Sequence, residues 1–196
     1  MPALDFWFDF GSTYSYPAAM RIGALATEAG VLVRFRPFLL GPIFKAQGWT
    51  TSPFNLYPEK GRYMWRDLAR LCADLDVPFR RPDPFPQNSL LAARVATALP
   101  PMARPPFSRA VYRVEFTKGR SITDRAVLAA SLKDAGLPPD ALAAAEAAET
   151  KSALRQATEE AQSLGVYGAP SFTTRSGELF WGNDRLEQAL AWGKEL

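Results

Sequence analysis

Residues 4–38 read LDFWFDFGSTYSYPAAMRIGALATEAGVLVRFRPF, and this stretch decides the fold. Leu4 to Phe10 alternates and is rich in aromatic residues, the pattern of a buried strand. Gly11 to Pro17 is a cluster of chain breakers opening a helix that runs to about Ala29, with Gly30 closing it. A proline is comfortable only in the first turn of a helix. Either regular helix therefore begins nearer Ser15, with Ser12 in a preceding turn, or the first turn is distorted. Val31 to Phe38 alternates again as a second strand. Strand, helix and strand in this order form a βαβ unit, which implies parallel pairing and a right-handed crossover.

Outward from this unit the chain turns helical. Met64, Leu68, Leu71, Cys72 and Leu75 fall at helical spacing, on a helix that Pro58 begins and Pro78 ends. Asn88 reads as the N-cap of Ser89 to Leu99. Further helices are expected from Pro106 to Lys118 and from Thr123 or Asp124 to Gly136. Two more lie between Pro138 and Leu164, with a break near Thr150. Beyond Gly165 strands return: Ser171 to Arg175 and Glu178 to Trp181 flank Ser176-Gly177, a two-residue hairpin signal. A last amphipathic helix starts at Asn183, capped by Asn183 or by an Asp184–Glu187 capping box. With the helices set aside, the order is βαβ–ββα, that of an α/β thioredoxin-like fold. The expectation is one structural unit. Its thioredoxin-like part covers residues 1–50 and 165–196, with a helical insertion over about 57–164.

The chain has 196 residues, and its 23 basic and 20 acidic side chains leave a formal charge of +3. No block of five like charges occurs, so neither nucleic acid nor a membrane surface is an expected partner. There is no histidine, which excludes a Ser-His-Asp triad and any His-ligated metal. The single cysteine, Cys72, excludes an internal disulfide and a Cys-x-x-Cys redox pair, and no metal site is expected. On an apolar helix face Cys72 reads as a small core residue. The start, MPALDFWFDF, lacks the basic flank and apolar run of a signal peptide, so a soluble cytoplasmic protein is expected.

Four places could carry chemistry. Ser12 stands at the mouth of the first helix, where unpaired N–H groups and the helix dipole favour an anion such as a thiolate. Its hydroxyl could donate to that thiolate, although taken alone it reads first as an N-cap. Ala169-Pro170 precedes a strand, and Pro170 is a candidate cis proline whose bend would leave the Ala169 backbone free to pair with an extended ligand. The plain alternative is an ordinary trans proline at a strand start. Trp181, Gly182, Asn183 and Asp184 join the last strand to the last helix and could meet a carboxylate or an ammonium, or simply cap. Lys45 follows the second strand, as a solvated loop lysine or as a cation for an anionic substrate. Asn55 and Phe85 lie in irregular proline-rich stretches and could line a pocket or merely pack. The stretch from Trp49 to Tyr63 reads as either a dimer surface or a pocket wall.

Together FDFGSTYSY, LLGPIFKAQG, the RPDPFPQNSL segment, GVYGAPSF and LFWGNDRL resemble the 2-hydroxychromene-2-carboxylate isomerases, along essentially the whole chain. That family is related to kappa-class glutathione transferases and to DsbA-type thioredoxin folds. The resemblance implies glutathione as cofactor, with Ser12 contacting its sulfur, Ala169 its backbone, and Trp181, Gly182, Asn183 and Asp184 its γ-glutamyl end. It places Lys45, Asn55, Leu56 and Phe85 on the side of a small aromatic carboxylate substrate; a homodimer is the expected assembly. Two positions depart from the family pattern: Thr13 replaces a proline after the serine, and Ala169 replaces a larger aliphatic residue.

The residue inventory fits this implication, because a chain without histidine or a plausible thiol needs an imported nucleophile. A bound thiolate would add reversibly to a conjugated carbon, allow rotation about the new single bond, and depart. A broader glutathione transferase and a non-catalytic thioredoxin-like binding module are the competing expectations.

Overall fold

A computed structural model describes residues 1–194. Strand β1 (Ala3–Phe8) is followed by α1 (Ser15–Ala29) and β2 (Leu32–Pro37), the βαβ unit expected from the sequence. Pro17 sits in the first turn of α1, so regular helix does begin at Ser15 and Ser12 belongs to a turn before it. Gly30 closes α1 at φ +68°, a left-handed conformation that favours glycine.

Helices α2 (Leu40–Ala46), α3 (Pro53–Leu56), α4 (Pro58–Asp74), α5 (Leu90–Ala98), α6 (Arg104–Phe116), α7 (Arg125–Asp134), α8 (Ala141–Ala144) and α9 (Ala148–Ser163) follow in turn. The hairpin β3 (Ser171–Thr174) and β4 (Leu179–Trp181) comes next, then a 3-10 turn at Asn183–Arg185 and α10 (Leu186–Trp192). The sequence reading has no counterpart for α2 and α3. The α8–α9 break falls at residues 145–147 rather than near Thr150.

The sheet runs β2-β1-β3-β4, with β1 parallel to β2 and antiparallel to β3, and β3 antiparallel to β4. This is the mixed four-stranded sheet of a thioredoxin fold. Strand β1 is buried throughout because both its faces are covered. Leu4, Phe6 and Phe8 point into the main core with Tyr16, Ile22, Phe35, Tyr112 and Phe116. Trp7 points the other way, against Phe38, Ile43, Ala161 and Val166, and its Nε1 donates to Thr173 Oγ1 at 2.9 Å. This two-sided burial is why FWFDF is nearly continuous in aromatic residues.

The main core includes Leu4 and Phe35 of the sheet, Leu68, Phe107 and Leu154 of the inserted helices, and Phe172 and Leu186 near the C-terminus. Helical insertion and thioredoxin part share one interior. No helix among the described residues is long and apolar enough to cross a membrane.

Candidate active site

Asp9, at the end of β1, organises the loops around the site. Its Oδ1 accepts the Gly11 N–H at 2.8 Å, and its Oδ2 accepts the Leu40 N–H at 2.7 Å. Its carbonyl accepts the Ser12 N–H at 2.9 Å and the Tyr112 hydroxyl at 2.9 Å. One buried carboxylate thus ties the Ser12 turn to the start of α2. Burial pushes its pKa above the ordinary carboxyl value, while hydrogen bonds from Leu40, Ser89 and Gly11 pull part of the way back. The sequence reading missed Asp9; its signal is a lone carboxylate at the end of an aromatic strand.

Ser12 is nearly buried, with 6% of its surface exposed. Its hydroxyl donates to the Ala169 carbonyl at 2.9 Å and accepts the Ser15 N–H at 3.3 Å. The capping role and the contact with the Ala169 segment therefore coexist. The Ala169–Pro170 bond is cis, as the sequence reading proposed. The Ala169 amide N–H has no hydrogen-bond partner among the described residues.

These groups open onto a cleft of about 1800 Å³ between the head of α1, the approach to β3 and the helices α2 to α4. Ser12, Ala169, Trp181, Gly182, Asn183, Asp184 and Phe85 all line it. Gly168 must be small, since a Cβ there would run into the Trp181 indole. Trp181 leans on Tyr167 with ring centroids 5.1 Å apart, and both are about half exposed at the cleft. Phe85 packs edge-on against Trp65, ring centroids 4.7 Å apart.

Asn183 does not cap the last helix, and neither does an Asp184–Glu187 box. Asn183 is buried; its Oδ1 accepts from Arg21 Nε at 3.0 Å and its carbonyl from Arg21 Nη2 at 2.6 Å. Glu187 is ion-paired with the same arginine. Asn183 and Glu187 are thus committed to Arg21 of α1, which fixes the Gly182–Arg185 turn against the helix that carries the Ser12 loop. Asp184 stays exposed on the cleft, 3.7 Å from Arg185 Nη1.

Lys45, Asn55 and Leu56 are not on the cleft. Lys45 is in the last turn of α2 and exposed, whereas Leu40, Gly41, Pro42 and Phe44 of that helix turn inward. Asn55 is exposed and its Nδ2 donates to Thr51 Oγ1 at 3.2 Å, while Leu56 is 39% exposed. Pro53 and Phe54 of the same short helix face the cleft instead. The cations on the cleft wall are Lys60, Arg70 and Arg185. The Trp49–Tyr63 stretch supplies much of this wall.

The head of α1 is also tied to α4. Thr13 Oγ1 donates to Met64 Sδ at 3.2 Å, and the Tyr14 hydroxyl donates to Asp67 Oδ2 at 2.7 Å. Burial, reinforced by Asp67, raises the Tyr14 pKa far above its ordinary value, so this phenol stays protonated. Cys72 is buried away from the cleft, and burial pushes its thiol up to about 11. Among the described residues no group of three or more Cys, Asp or Glu side chains is placed to hold a metal ion.

A thioredoxin sheet with a helical insertion and a polar residue heading α1 defines the DsbA-like class. Residues 3–191 match the model of the DSBA-like thioredoxin domain. The 2-hydroxychromene-2-carboxylate isomerase of Sphingobium xenophagum is 31% identical over 187 residues, covering 94% of each chain, and the present chain belongs to the same family. Glutathione S-transferase kappa 1 of Homo sapiens is 26% identical over 199 residues, 94% of this chain and 87% of the relative. In fold, the chain is similar to a solved 2-hydroxychromene-2-carboxylate isomerase at a TM-score of 0.85, with 23% identity, over 95% of this chain and 91% of the other.

Proposed function

We propose that the protein is a glutathione-dependent isomerase of 2-hydroxychromene-2-carboxylate or a related intermediate of aromatic-compound breakdown. The observation that carries this reading is the pairing of Ser12 with Ala169 at 2.9 Å, inside a large cleft, in a chain with no histidine and a sealed cysteine. Glutathione, when bound, supplies the nucleophilic thiol that the chain itself lacks.

The residues present suit such a guest. Ala169 offers an unpaired N–H and an adjacent carbonyl, the donor and acceptor that an extended peptide needs. Ser12 offers a hydroxyl to a sulfur anion beside the positive end of the α1 dipole. Asp184 offers a carboxylate to an ammonium, and Arg21 keeps that turn in place. Lys60 and Arg70 replace Lys45 as the cations for a substrate carboxylate, because they line the cleft and Lys45 does not.

Ser12→Ala should lower turnover roughly 10- to 1,000-fold if the hydroxyl stabilises a thiolate. An unchanged rate removes Ser12 from the mechanism. Lys60→Met should raise KM for the carboxylate substrate about three- to tenfold, and Lys45→Met should leave it unchanged. Steady-state kinetics on the two variants checks this, and the reverse pattern would restore Lys45 to the substrate site.

A kappa-like transferase of broader electrophile range is the second reading. It is favoured by a cleft larger than the roughly 300–1,000 Å³ of most small-molecule sites, which leaves room for varied co-substrates. Parallel assays of 2-hydroxychromene-2-carboxylate and a chlorinated aromatic decide between the two. A homodimer is proposed as the working form, and sedimentation at monomer mass would refute it.

A further inference from the structure

Helix α2 is seven residues long and buries only Ile43 fully, so neither its length nor its packing holds it firmly in place. Its N-cap residue, Leu39, has no side-chain acceptor to offer the first turn. The N–H of Leu40, the first helical residue, crosses instead to Asp9 Oδ2 at 2.7 Å. The Leu39 N–H goes to Thr158 Oγ1 of α9 at 3.2 Å. The cap of this helix therefore comes from outside it. What α2 carries matters to the cleft: Leu40, Gly41, Pro42 and Phe44 line it, and the Phe44 carbonyl accepts the N–H of Trp49, another residue of the cleft wall, at 2.9 Å.

We propose that Asp9 is a positioning residue for the substrate side of the cleft: as the borrowed cap of α2, its carboxylate sets where the α2 wall stands. This rests on the reading of the cleft as the site of a glutathione-dependent isomerase. The role asks for a carboxylate rather than any polar group, because two N–H donors must be met at once. Oδ1 accepts from Gly11, two residues on, and Oδ2 accepts from Leu40. An asparagine keeps one acceptor oxygen and brings an amide nitrogen that only donates. The local pairing with Gly11 suits asparagine as well as aspartate. The amide nitrogen is then left facing the Leu40 N–H, donor against donor. Ser89, the remaining donor to Asp9, is a hydroxyl and can turn round to accept. The Ser12 N–H is held by the Asp9 backbone carbonyl, which the substitution leaves in place. Asp9→Asn thus cuts the tie to α2 selectively.

Two measurements on Asp9→Asn separate this role from general support of the fold. Amide hydrogen exchange, followed by mass spectrometry, should quicken about tenfold or more over residues 40–49 and by less than about threefold over α1. In steady-state kinetics the KM for 2-hydroxychromene-2-carboxylate should rise about three- to tenfold, with a smaller change in kcat. Glutathione affinity, titrated by calorimetry, should change less than that KM. A residue that merely held the fold together would loosen both helices alike and lower kcat through the folded fraction.

Leu40→Pro tests the same bond from the donor side. Leu39 stands at φ −115°, ψ 122°, the extended conformation that a residue before proline needs, and the first helical position accepts proline. Adding Asp9→Asn to Leu40→Pro should leave α2 exchange unchanged, since the bond is already gone. Equal quickening of α1 and α2, an unaltered KM, or full additivity of the two substitutions overturns the proposal. If Asp9→Asn does not fold, Leu40→Pro is compared with Leu40→Ala, which keeps the N–H. Faster α2 exchange in the proline variant supports the cap, because the lost charge-assisted bond outweighs the preset φ of the ring; equal or slower exchange overturns it. A wild type that binds no glutathione refutes the reading of the cleft, while α2 exchange still decides the cap.

Discussion

Glu115 is completely buried on α6, and neither of its carboxyl oxygens has a hydrogen-bond partner among the described residues. Burial, and secondarily the charge of Asp9, raise its pKa well above the ordinary 4.5. The folded protein therefore holds this proton more tightly than the unfolded chain. The resulting stability is complete below the unfolded value and drains away as pH rises through the folded pKa. Asp9 is raised as well and contributes in the same direction. Glu115→Gln should flatten the decline in unfolding free energy as pH rises above the ordinary carboxyl value of 4.5, as followed by urea denaturation. Glu115→Met, close in volume and without polar atoms, should stabilise the protein by about 1–3 kcal/mol at neutral pH. A variant as pH-dependent as the wild type would mean that Glu115 is not the group responsible. Neither Glu115 nor Asp9 was legible beforehand, because a lone acidic letter in a helix or strand says nothing about the depth at which it ends up. Ser12, Ala169 and the turn 181–184 were legible, because breakers and prolines mark where a strand hands over to a helix.

Helices α3 and α4 meet at Gly61, whose added Cβ would collide with the backbone carbonyl of Phe54. Backbone cannot yield as a flexible side chain does. Gly61→Ala should therefore cost about 1–3 kcal/mol and push the Phe54 wall of the cleft outward. Thermal melts test the first part, and a changed KM for the bulkier substrate tests the second; an unaltered melting temperature would show that the junction adapts freely. The long helices could be read from spacing because each buries one stripe: Gly61, Met64, Leu68 and Cys72 of α4 follow it. Helices α2 and α3 span only seven and four residues, too short for a period to declare itself, and α3 buries no residue fully. That is also why spacing alone does not say that Lys45, Asn55 and Leu56 lie off the cleft wall while their neighbours line it. A loop can aim any residue at a cleft, whereas a helix turn fixes which ones face away.

Across the whole molecule, one core draws on the sheet, the inserted helices and the C-terminal helix. Unfolding should consequently be a single cooperative transition, with circular dichroism and tryptophan fluorescence giving coincident curves. Two separated transitions would divide the insertion from the thioredoxin part. A ligand that binds only the folded state, present at about a hundred times its Kd, should stabilise it by about 2.7 kcal/mol. The strand–helix–strand opening and closing hairpin made the sheet predictable, but the cleft was not, since its far wall comes from helices packed by contacts remote in sequence. The same interior encloses Cys72 and keeps its thiol in the unreactive, protonated form. On the function proposed here, oxidants and alkylating agents would spend themselves on a guest that diffuses away and is replaced from the surrounding pool. Wear would fall on the consumable part, and the polypeptide would outlast it.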